Sequence, residues 1–322
     1  MTTNEIIKNR AEIVFLYDVK DANPNGDPLD ENKPRIDEET GINIVTDVRL
    51  KRTIRDYLKD FKGYDGKTNK DIFVREIANE KGEIQDGKTR AKDFEENKKI
   101  VLEKCIDVRL FGAVIPLAEK AKKKKENDAE KAEEGSKERS ITYTGPVQFR
   151  MGRSLHKVEM KHIKGTGAFA SKEGSTQKTF REEDFLPYSL ISFYGIINEN
   201  AAKHTQLTEE DVNLLLDGMW NGTKNLISRS KAGQMPRLLL KVNYKENNYH
   251  IGDLDKMIKL MSEKNEEQIR DISEVTLDAS ELIETLNKNK GKIASIEFKV
   301  DDRVKIDLSD LDKNIVKKEI LL

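Results

Sequence analysis

The sequence predicts an α+β protein, because strand-like and helical segments alternate along it in one particular order. Apolar runs of strand character and amphipathic helical patterns follow one another at 11–19, 47–61, 141–149, 188–197, 208–226 and 236–244. The order is therefore strand, helix, strand, strand, helix, strand. That is the split βαβ order of a ferredoxin-like, RRM-type domain, whose sheet commonly meets single-stranded RNA. The length of 322 residues allows a large core, and we expect one elaborated domain over residues 1–322.

The first strand is expected at the centre of the sheet. Residues 13–17 are apolar on both faces and rich in β-branched and aromatic side chains, which is typical of a strand buried on both sides. A loop must follow, since Pro24 and Pro28 remove backbone donors and Gly26 permits positive φ. This loop therefore leaves the end of a buried strand.

Both helices of the predicted domain have recognisable starts. Thr46 or Asp47 is a suitable N-cap for the first helix, and Thr208 with Asp211 three residues on forms a capping-box pattern for the second. The apolar stripe of the first helix consists of Leu50, Ile54, Tyr57, Leu58 and Phe61. Four basic residues lie outside that stripe: Arg49, Arg52, Arg55 and Lys59.

Two insertions and a C-terminal segment complete the predicted architecture. Residues 62–140 form a polar insertion with a helical pattern near 93–108 and a charged tip at 118–140, which we expect to be solvated, with a Lys-run contact to nucleic acid as the alternative. Residues 152–187 are too long for a hairpin turn, and partial alternation at 158–163 predicts a protruding β-arm, with a solvated surface loop as the alternative. Residues 253–322 form a mixed segment expected to pack on the domain. Its patterns are helical near 254–262 and 279–288 and strand-like near 293–300.

The chain is neutral overall but locally polarised. Its formal net charge is -1, so bulk charge gives no argument for a nucleic-acid partner. Residues 141–181 contain eight Lys or Arg against two Glu, and residues 218–245 contain six against none, so each segment has a net charge of +6. Residues 252–322 contain thirteen basic and seventeen acidic side chains, a net charge of -4.

Patterns that could indicate a metal site have simpler explanations. Asp21, Asn23 and Asn25 begin like an EF-hand loop, but the twelfth position is Asn32 rather than a bidentate Glu. His156 and His162 do not have the spacing of a zinc-binding pair and are interpreted as surface or RNA-facing residues. Asx turns explain the many loop aspartates. We predict no catalytic residue, no metal site and no cofactor.

The compartment is indicated by the single cysteine, Cys105. One cysteine excludes an intramolecular disulfide and fits a reducing environment, and its helical surroundings predict a buried structural thiol. No N-terminal signal pattern or long apolar run occurs. We therefore expect a cytoplasmic protein without a membrane partner.

Six stretches spread in order over nearly the whole chain carry a family resemblance. They are DVKDANPNGDP at 18–28, PRIDEETG at 34–41, TDVRLKRTIRDYL at 46–58, DVRLFG at 107–112, GPVQFRMGRS at 145–154 and SRSKAGQMPRLLL at 228–240. Together they closely resemble the backbone subunit of type I CRISPR Cascade complexes. The match is nearest to subtype I-B, and subtype I-C relatives share the first loop.

This resemblance implies a non-enzymatic RNA-binding subunit with an RRM-type palm, a fingers region and a thumb. Several copies would line up along the crRNA, each thumb folding over the guide. By position, 62–140 is similar to the fingers and 152–187 to the thumb. The implied partners are crRNA, further copies of the chain, the capping and large subunits, and target DNA, and the complex afterwards recruits a helicase-nuclease.

Guide binding must ignore spacer sequence, so the resemblance implies contacts to phosphate and ribose. Arg49, Lys51 and Arg52 at the first helix start would hold phosphates, aided by the helix dipole, unless they form a solvated helix face. Aromatic residues are 6% of the chain and no RNP-type run occurs, so base stacking on the sheet is not expected. The predicted RNA-binding residues are Asn23, Asn25, Arg49, Lys51, Arg52, Gln148, Arg150, Arg153, Ser154, Lys164, Lys172, Arg229, Lys231 and Gln234.

Two alternatives stay open. Asn23 and Asn25 could pin the loop structurally rather than reach a ribose hydroxyl. The whole chain could also be a guide-bound, metal-dependent RNase, because related type III backbone subunits cleave target RNA through a loop aspartate. Asp27, Asp30 or Asp37 would then be the candidate.

Overall fold

The computed structural model describes residues 5–117, 140–170 and 178–322. Lys172 and the charged tip, apart from Ser140, lie outside these residues. Within them the strands are β1 (Ala11–Ala22), β2 (Ile36–Asp37), β3 (Ile42–Val45), β4 (Gly112–Pro116), β5 (Ser140–Thr144), β6 (Val147–Phe149), β7 (Gly152–Lys157), β8 (Lys161–Ala170), β9 (Lys178–Ile197), β10 (Met235–Tyr244), β11 (Lys259–Met261), β12 (Thr276–Asp278), β13 (Ile293–Val300) and β14 (Lys317–Glu319). The helices are α1 (Asp47–Phe61), α2 (Gly87–Lys92), α3 (Lys98–Lys104), α4 (Ile106–Phe111), α5 (Glu199–Thr205), α6 (Glu209–Lys224) and α7 (Ser280–Lys288). None of these helices is long and apolar enough to cross a membrane.

A large, mainly antiparallel sheet organises the chain. Its strand order is β14-β13-β10-β1-β9-β7-β3-β2, and β6 and β8 also pair with β9. The strand β1 lies between β9 and β10, antiparallel to both, and residues 11–19 are buried. The central position predicted for this strand is confirmed. At its two edges the sheet ends in very short strands, β2 with two residues and β14 with three.

Helices cover one face of the sheet. Ile13, Phe15 and Tyr17 of β1 point into a core shared with α1 and α6, as the period of two along a strand requires. Thr46 is the N-cap of α1, since its Oγ1 accepts a hydrogen bond from the Arg49 N–H at 3.3 Å. The capping box predicted at the start of α6 is present. Phe61, by contrast, is 61% exposed and does not extend the apolar stripe of α1.

The C-terminal segment covers the opposite face. Val14 and Leu16 of β1 join a second core with residues of β10, β13 and α7. The helix predicted near 254–262 is wrong: a 3-10 turn at Leu254–Met257 is followed by β11, which pairs with β12. Both faces of the central sheet are therefore covered by protein, and the face that an RRM uses for base stacking is occupied.

Two other predicted elements are divided. The strand expected at 141–149 splits at Gly145 and Pro146 into β5, which pairs with β4, and β6, which pairs with β9. A Cβ at Gly145 would lie 2.0 Å from the Phe111 carbonyl carbon, so only glycine allows this crossing. The helix expected near 93–108 is interrupted by positive φ at Glu95 and Glu96 and resumes as α3 and α4.

The polar insertion has a small core of its own. Its apolar residues include Phe73, Phe94, Val101 and Cys105, so the buried thiol is confirmed, and burial raises its pKa. The buried carboxylate of Asp107 accepts hydrogen bonds from the Phe73 and Val74 N–H groups and from Arg55 of α1. This carboxylate fixes the insertion to the main helix layer.

His156 fixes β7 against both β9 and the C-terminal segment. The ring is buried, so its interpretation as a surface or RNA-facing residue was wrong. Its Nε2 accepts a hydrogen bond from the Leu190 N–H at 3.2 Å, while Nδ1 lies 2.8 Å from the Lys157 carbonyl and 3.1 Å from that of Glu266. These partners suit a neutral ring with a proton on Nδ1. Burial lowers the pKa of His156 below its ordinary 6.5.

This lowered pKa predicts acid sensitivity. The unfolded chain binds a proton at His156 more readily than the folded one, so stability is complete above pH 6.5 and declines as the pH falls through that value. In His156→Gln, the decline between pH 7 and pH 5.5 should be shallower than in the natural chain. Urea unfolding at several pH values measures both slopes. Equal slopes would contradict the buried neutral ring.

Candidate nucleic-acid interface

Three chain segments meet at the end of the sheet where β1 finishes and β10 begins. These are the loop 23–35, the start of α1 and the loop 225–234. The Asn23 N–H donates to the Ser230 carbonyl at 3.0 Å, and the Lys231 ammonium donates to the Asn23 carbonyl. This end of the sheet therefore brings together several of the side chains that the sequence predicted to bind RNA, among them Asn23, Arg49 and Lys231.

The loop 23–35 is built to hold the start of α1. Asn25 Oδ1 accepts hydrogen bonds from the N–H and the hydroxyl of Thr46, both at 2.9 Å. Asn23 Nδ2 donates to the Asn32 carbonyl at 2.6 Å. Gly26 is required for close approach, since a Cβ there would lie 2.7 Å from the Asn32 carbonyl oxygen; positive φ is not its role. The contacts of Asn25 are therefore those of a residue that pins the loop, the structural alternative to a ribose contact.

Arg49 and Lys231 form a pair of neighbouring cations, which we call the cation pair. Burial lowers the pKa of the Arg49 guanidinium, and the nearby Tyr17 acts in the opposite direction. Burial, and then the charge of Arg49, lower the pKa of Lys231 to about 8. Within the described residues, neither side chain has a carboxylate at ion-pair distance. Two like charges without a counter-ion suit an anion such as phosphate.

Two buried side-chain amides of the same loops each have one polar atom without a hydrogen-bond partner in the described part of the chain. Gln234 is 3% exposed, and among the described residues its Nε2 has no acceptor. Asn23 is 8% exposed, and its Oδ1 has no donor there. Buried polar groups are normally satisfied, so each such atom calls for an explanation such as a ligand. Both residues were predicted to bind RNA.

Arg237, a few residues further along the chain, differs from the cation pair because it has carboxylate partners. It is buried, and its guanidinium lies between Asp18, at 2.9 Å, and Asp301. Burial of the Asp18 carboxyl raises its pKa even so, with Arg237 acting against the rise. This cation is neutralised inside the fold, whereas the cation pair is not.

The other predicted cations of α1 and the sheet are paired with carboxylates. Lys51 lies 2.9 Å from Asp47, and Arg52 lies 2.8 Å from Asp56. On the sheet side the pairs are Arg153 with Asp37, at 3.7 Å, and Arg150 with Asp253, the latter guanidinium also stacking 4.5 Å from the Tyr194 ring centroid. Exposed pairs such as those of Arg52 and Arg150 contribute about 0–1 kcal/mol, so an anionic ligand can replace the carboxylate at little cost.

The polar side chains around the arm also have partners. Lys164 lies 2.7 Å from Glu182 within the β8–β9 hairpin, and His162 Nδ1 lies 3.0 Å from Asp184. Arg229 reaches from the loop 225–234 to Glu183 of β9, at 2.7 Å. The root of the arm is thereby joined to the loop that holds Lys231.

Gln148 and Ser154 differ in accessibility. Gln148 is exposed, and its Nε2 donates to the Gly145 carbonyl at 2.9 Å. Ser154 is buried, with its hydroxyl accepting from the Asn43 N–H at 2.9 Å and donating to the His156 carbonyl at 2.6 Å. Ser154 is therefore fully engaged within the sheet, and we leave it out of the interface.

The sequence pattern did not indicate that Tyr17 lies beside Arg49. It also did not distinguish Arg49 and Lys231 from the basic residues that have a carboxylate partner. Tyr17 alternates with Phe15 and Ile13, a signal that placed it on the helix face but not beside a guanidinium. No grouping of three His, Cys, Asp or Glu side chains suited to a metal ion occurs in the part of the chain that the structure describes.

The chain is similar to known proteins along most of its length. The family model described as CRISPR-associated protein Cas7 matches residues 9–280. A Haloferax volcanii protein described as CRISPR-associated protein Cas7 is 36% identical over 310 residues, covering 94% of this chain and 90% of that protein. Chains of a "CRISPR RNA-guided surveillance complex, pre-nicking" and of a "CRISPR RNA-guided surveillance complex" each superpose with a TM-score of 0.54. The first is 12% identical in sequence, and the alignment covers 96% of this chain and 96% of that one. The second is 13% identical, and the alignment covers 96% of this chain and 94% of that one.

The contacts of Asn25 yield a stability prediction. Asn25→Ala removes the acceptor of both Thr46 hydrogen bonds, so the free energy of unfolding should fall by about 1–2 kcal/mol. Asn25→Asp keeps an acceptor next to a helix N-terminus and should retain most of that stability. Chemical denaturation measures both variants. A stable Asn25→Ala with weakened RNA binding would instead indicate a ribose contact.

Proposed function

We propose that this chain, which belongs to the Cas7 family of CRISPR-associated proteins, is the crRNA-binding backbone subunit of a type I surveillance complex. The nearest subtype is I-B, as the loop and strand motifs suggest. The single observation that supports guide binding most directly is the cation pair, Arg49 with Lys231, at the open end of an otherwise covered sheet.

A phosphate of the guide is the anion that this arrangement suits. The N-terminus of α1 adds backbone N–H groups and a favourable dipole beside Arg49. Contacts to phosphate and ribose hold RNA without reading its sequence, as a subunit that repeats along a variable guide requires. Base edges then remain available for pairing with target DNA.

The palm in this proposal is ferredoxin-like. Neighbouring strands run in the order β10-β1-β9, with β6 on the other side of β9, and α1 and α6 lie together on one face. This is the arrangement that the order strand, helix, strand, strand, helix, strand produces. In this proposal the polar insertion is the fingers region. Residues 152–187, which include β8 and the first part of β9, are the thumb.

Assembly along the guide follows from identical subunits on a linear polymer. Such an array needs a head-to-tail interface that does not close, and an arm that reaches the next copy supplies one. Met160 and Ile163 on the arm are 38% and 48% exposed, so they can bury apolar area against a neighbour or the guide. The capping and large subunits and target DNA complete the proposed set of partners.

The contacts of the loop aspartates favour a scaffold over an RNase. Asp27 accepts from the Leu29 N–H at 3.0 Å and pairs with Arg35. Asp30 pairs with Lys33, and Asp37 accepts from the N–H groups of two following residues. These are the Asx-turn and ion-pair contacts that build the loop. We therefore propose no cleavage step for them.

Guide binding is tested first at α1. Arg49→Ala should weaken binding of single-stranded RNA about tenfold, equivalent to about 1.4 kcal/mol. It should also reduce the slope of log K against log salt by about 0.7, the contribution of one phosphate contact on a single strand. Arg52→Ala should lose less affinity, because Arg52 is exposed and paired with Asp56. Filter binding over a salt series measures both quantities.

Lys59→Ala is the matched control, since Lys59 is basic, lies on the same helix and pairs with Asp60 away from the loop. Its affinity and salt slope should equal those of the natural chain. An unchanged salt slope in Arg49→Ala would refute the phosphate contact.

Assembly is tested by shortening the arm. Replacing residues 164–182 by Asn-Gly leaves the Ile163 and Glu183 pair as the last rung and closes it with a two-residue hairpin turn. The variant should fold, because β1, β10, α1, α6 and the part of β9 that pairs with β1 are untouched, and it should still bind a short RNA. On a long crRNA it should fail to form a regular multi-copy array. Sizing chromatography and RNA footprinting measure this, and a normal array would remove the thumb role.

A further inference from the structure

The ammonium of Lys231 is incompletely satisfied. An ammonium has three N–H donors, and in the described part of the chain the acceptor for Lys231 is the Asn23 carbonyl. The side chain is half-buried, so water can meet the remaining donors only in part. A positive charge in this position is costly until an anion approaches.

The charged groups that bear on Lys231 come from α1, from β1 and from its own loop. From α1 comes Arg49, itself influenced by Arg52, Asp56 and, from β1, Tyr17. On its own loop, Arg229 is directed to Glu183 of β9, which is therefore engaged elsewhere. Burial lowers the pKa of the Lys231 ammonium most, and the charge of Arg49 lowers it further. An anion that approaches both cations therefore favours the protonated form of Lys231.

We propose that Lys231 is a proton-coupled guide contact: it binds an RNA phosphate as an ammonium, and part of that ammonium is formed by taking up a proton as the RNA binds. This inference rests on the proposed function. The step balances simply, because neutral amine, one proton from the buffer and a phosphodiester anion become an ammonium paired with that anion. No covalent bond changes.

Lys231 titrates in a pH range in which the buried tyrosine and cysteine described above do not. Lys231 has a pKa of about 8, whereas burial raises the pKa of Tyr17 and that of Cys105. At pH 8 about half of Lys231 is neutral, so each bound RNA should take up about 0.5 proton, and about 0.1 at pH 7. By the same linkage, affinity should fall about tenfold between pH 7 and pH 9.

Isothermal titration calorimetry of the full chain with a short oligoadenylate measures this uptake. Neither phosphodiesters nor adenines titrate between pH 7 and pH 9, so the RNA itself contributes no proton. Titrations at one pH and ionic strength, in two buffers of different ionisation enthalpy, give the number of protons from the difference in heat. A pH series in either buffer gives the affinity.

Two variants assign the proton to Lys231. Lys231→Arg keeps a cation that does not lose its proton in this range, so it should bind at pH 7 like the natural chain and remain equally tight at pH 9. Lys231→Met should bind at pH 7 about as weakly as the natural chain at pH 9, with no pH dependence. Lys245→Arg is the control, because Lys245 contacts the Gly291 carbonyl at the far end of β10. Circular dichroism at each pH verifies folding.

Three outcomes would contradict the proposals, and they can be told apart. Oligoadenylate binding that is absent at every pH overturns the proposed function itself. Binding of equal strength at pH 7 and pH 9 with no buffer-dependent heat overturns the proton coupling and leaves guide binding in place. A tenfold alkaline loss that persists in folded Lys231→Arg or Lys231→Met assigns the proton to another group and also overturns the inference.

Discussion

The fold depends on the burial of β1 on both faces. Its odd-numbered residues pack under α1 and α6, and its even-numbered residues pack under the C-terminal segment. A sheet enclosed in this way cannot offer an open face to bases, so the RNA binding that we propose falls to the loops at the end of its strands. The position of the cation pair follows from this enclosure rather than from any basic sequence motif alone.

The positive charges that the structure describes in this region are of two kinds, those with carboxylate partners and those without. Arg237 is compensated by Asp18 and Asp301 and stabilises the junction of β10 with the C-terminal segment. Arg49 and Lys231 lie nearby without such compensation. Removing one partner of a compensated buried pair would damage the fold. An uncompensated pair instead destabilises the isolated chain slightly, and it gains most when an anion binds.

The sequence predicted those elements whose periodicity is long and uninterrupted. Examples are β1, α1, α6 and β13, where apolar spacing and caps agree with the final packing. It did not predict the break at Gly145, which depends on the close approach of Phe111, nor the positive φ of Glu95. For the site, it named the basic residues of the candidate interface but not their pairing. Carboxylates such as Asp253, the partner of Arg150, lie too far along the chain to be paired by inspection.

The edges of the sheet constrain how copies of the chain can be joined. Long exposed edge strands invite further strands from other chains, with aggregation as the hazard. Here β2 is two residues long, and β14 is three residues long and carries Lys317 and Lys318. Neither edge offers enough unpaired backbone to template another strand. A filament of the kind proposed above therefore does not grow by continuous sheet extension through β2 or β14, and its length can be set by the polymer it coats.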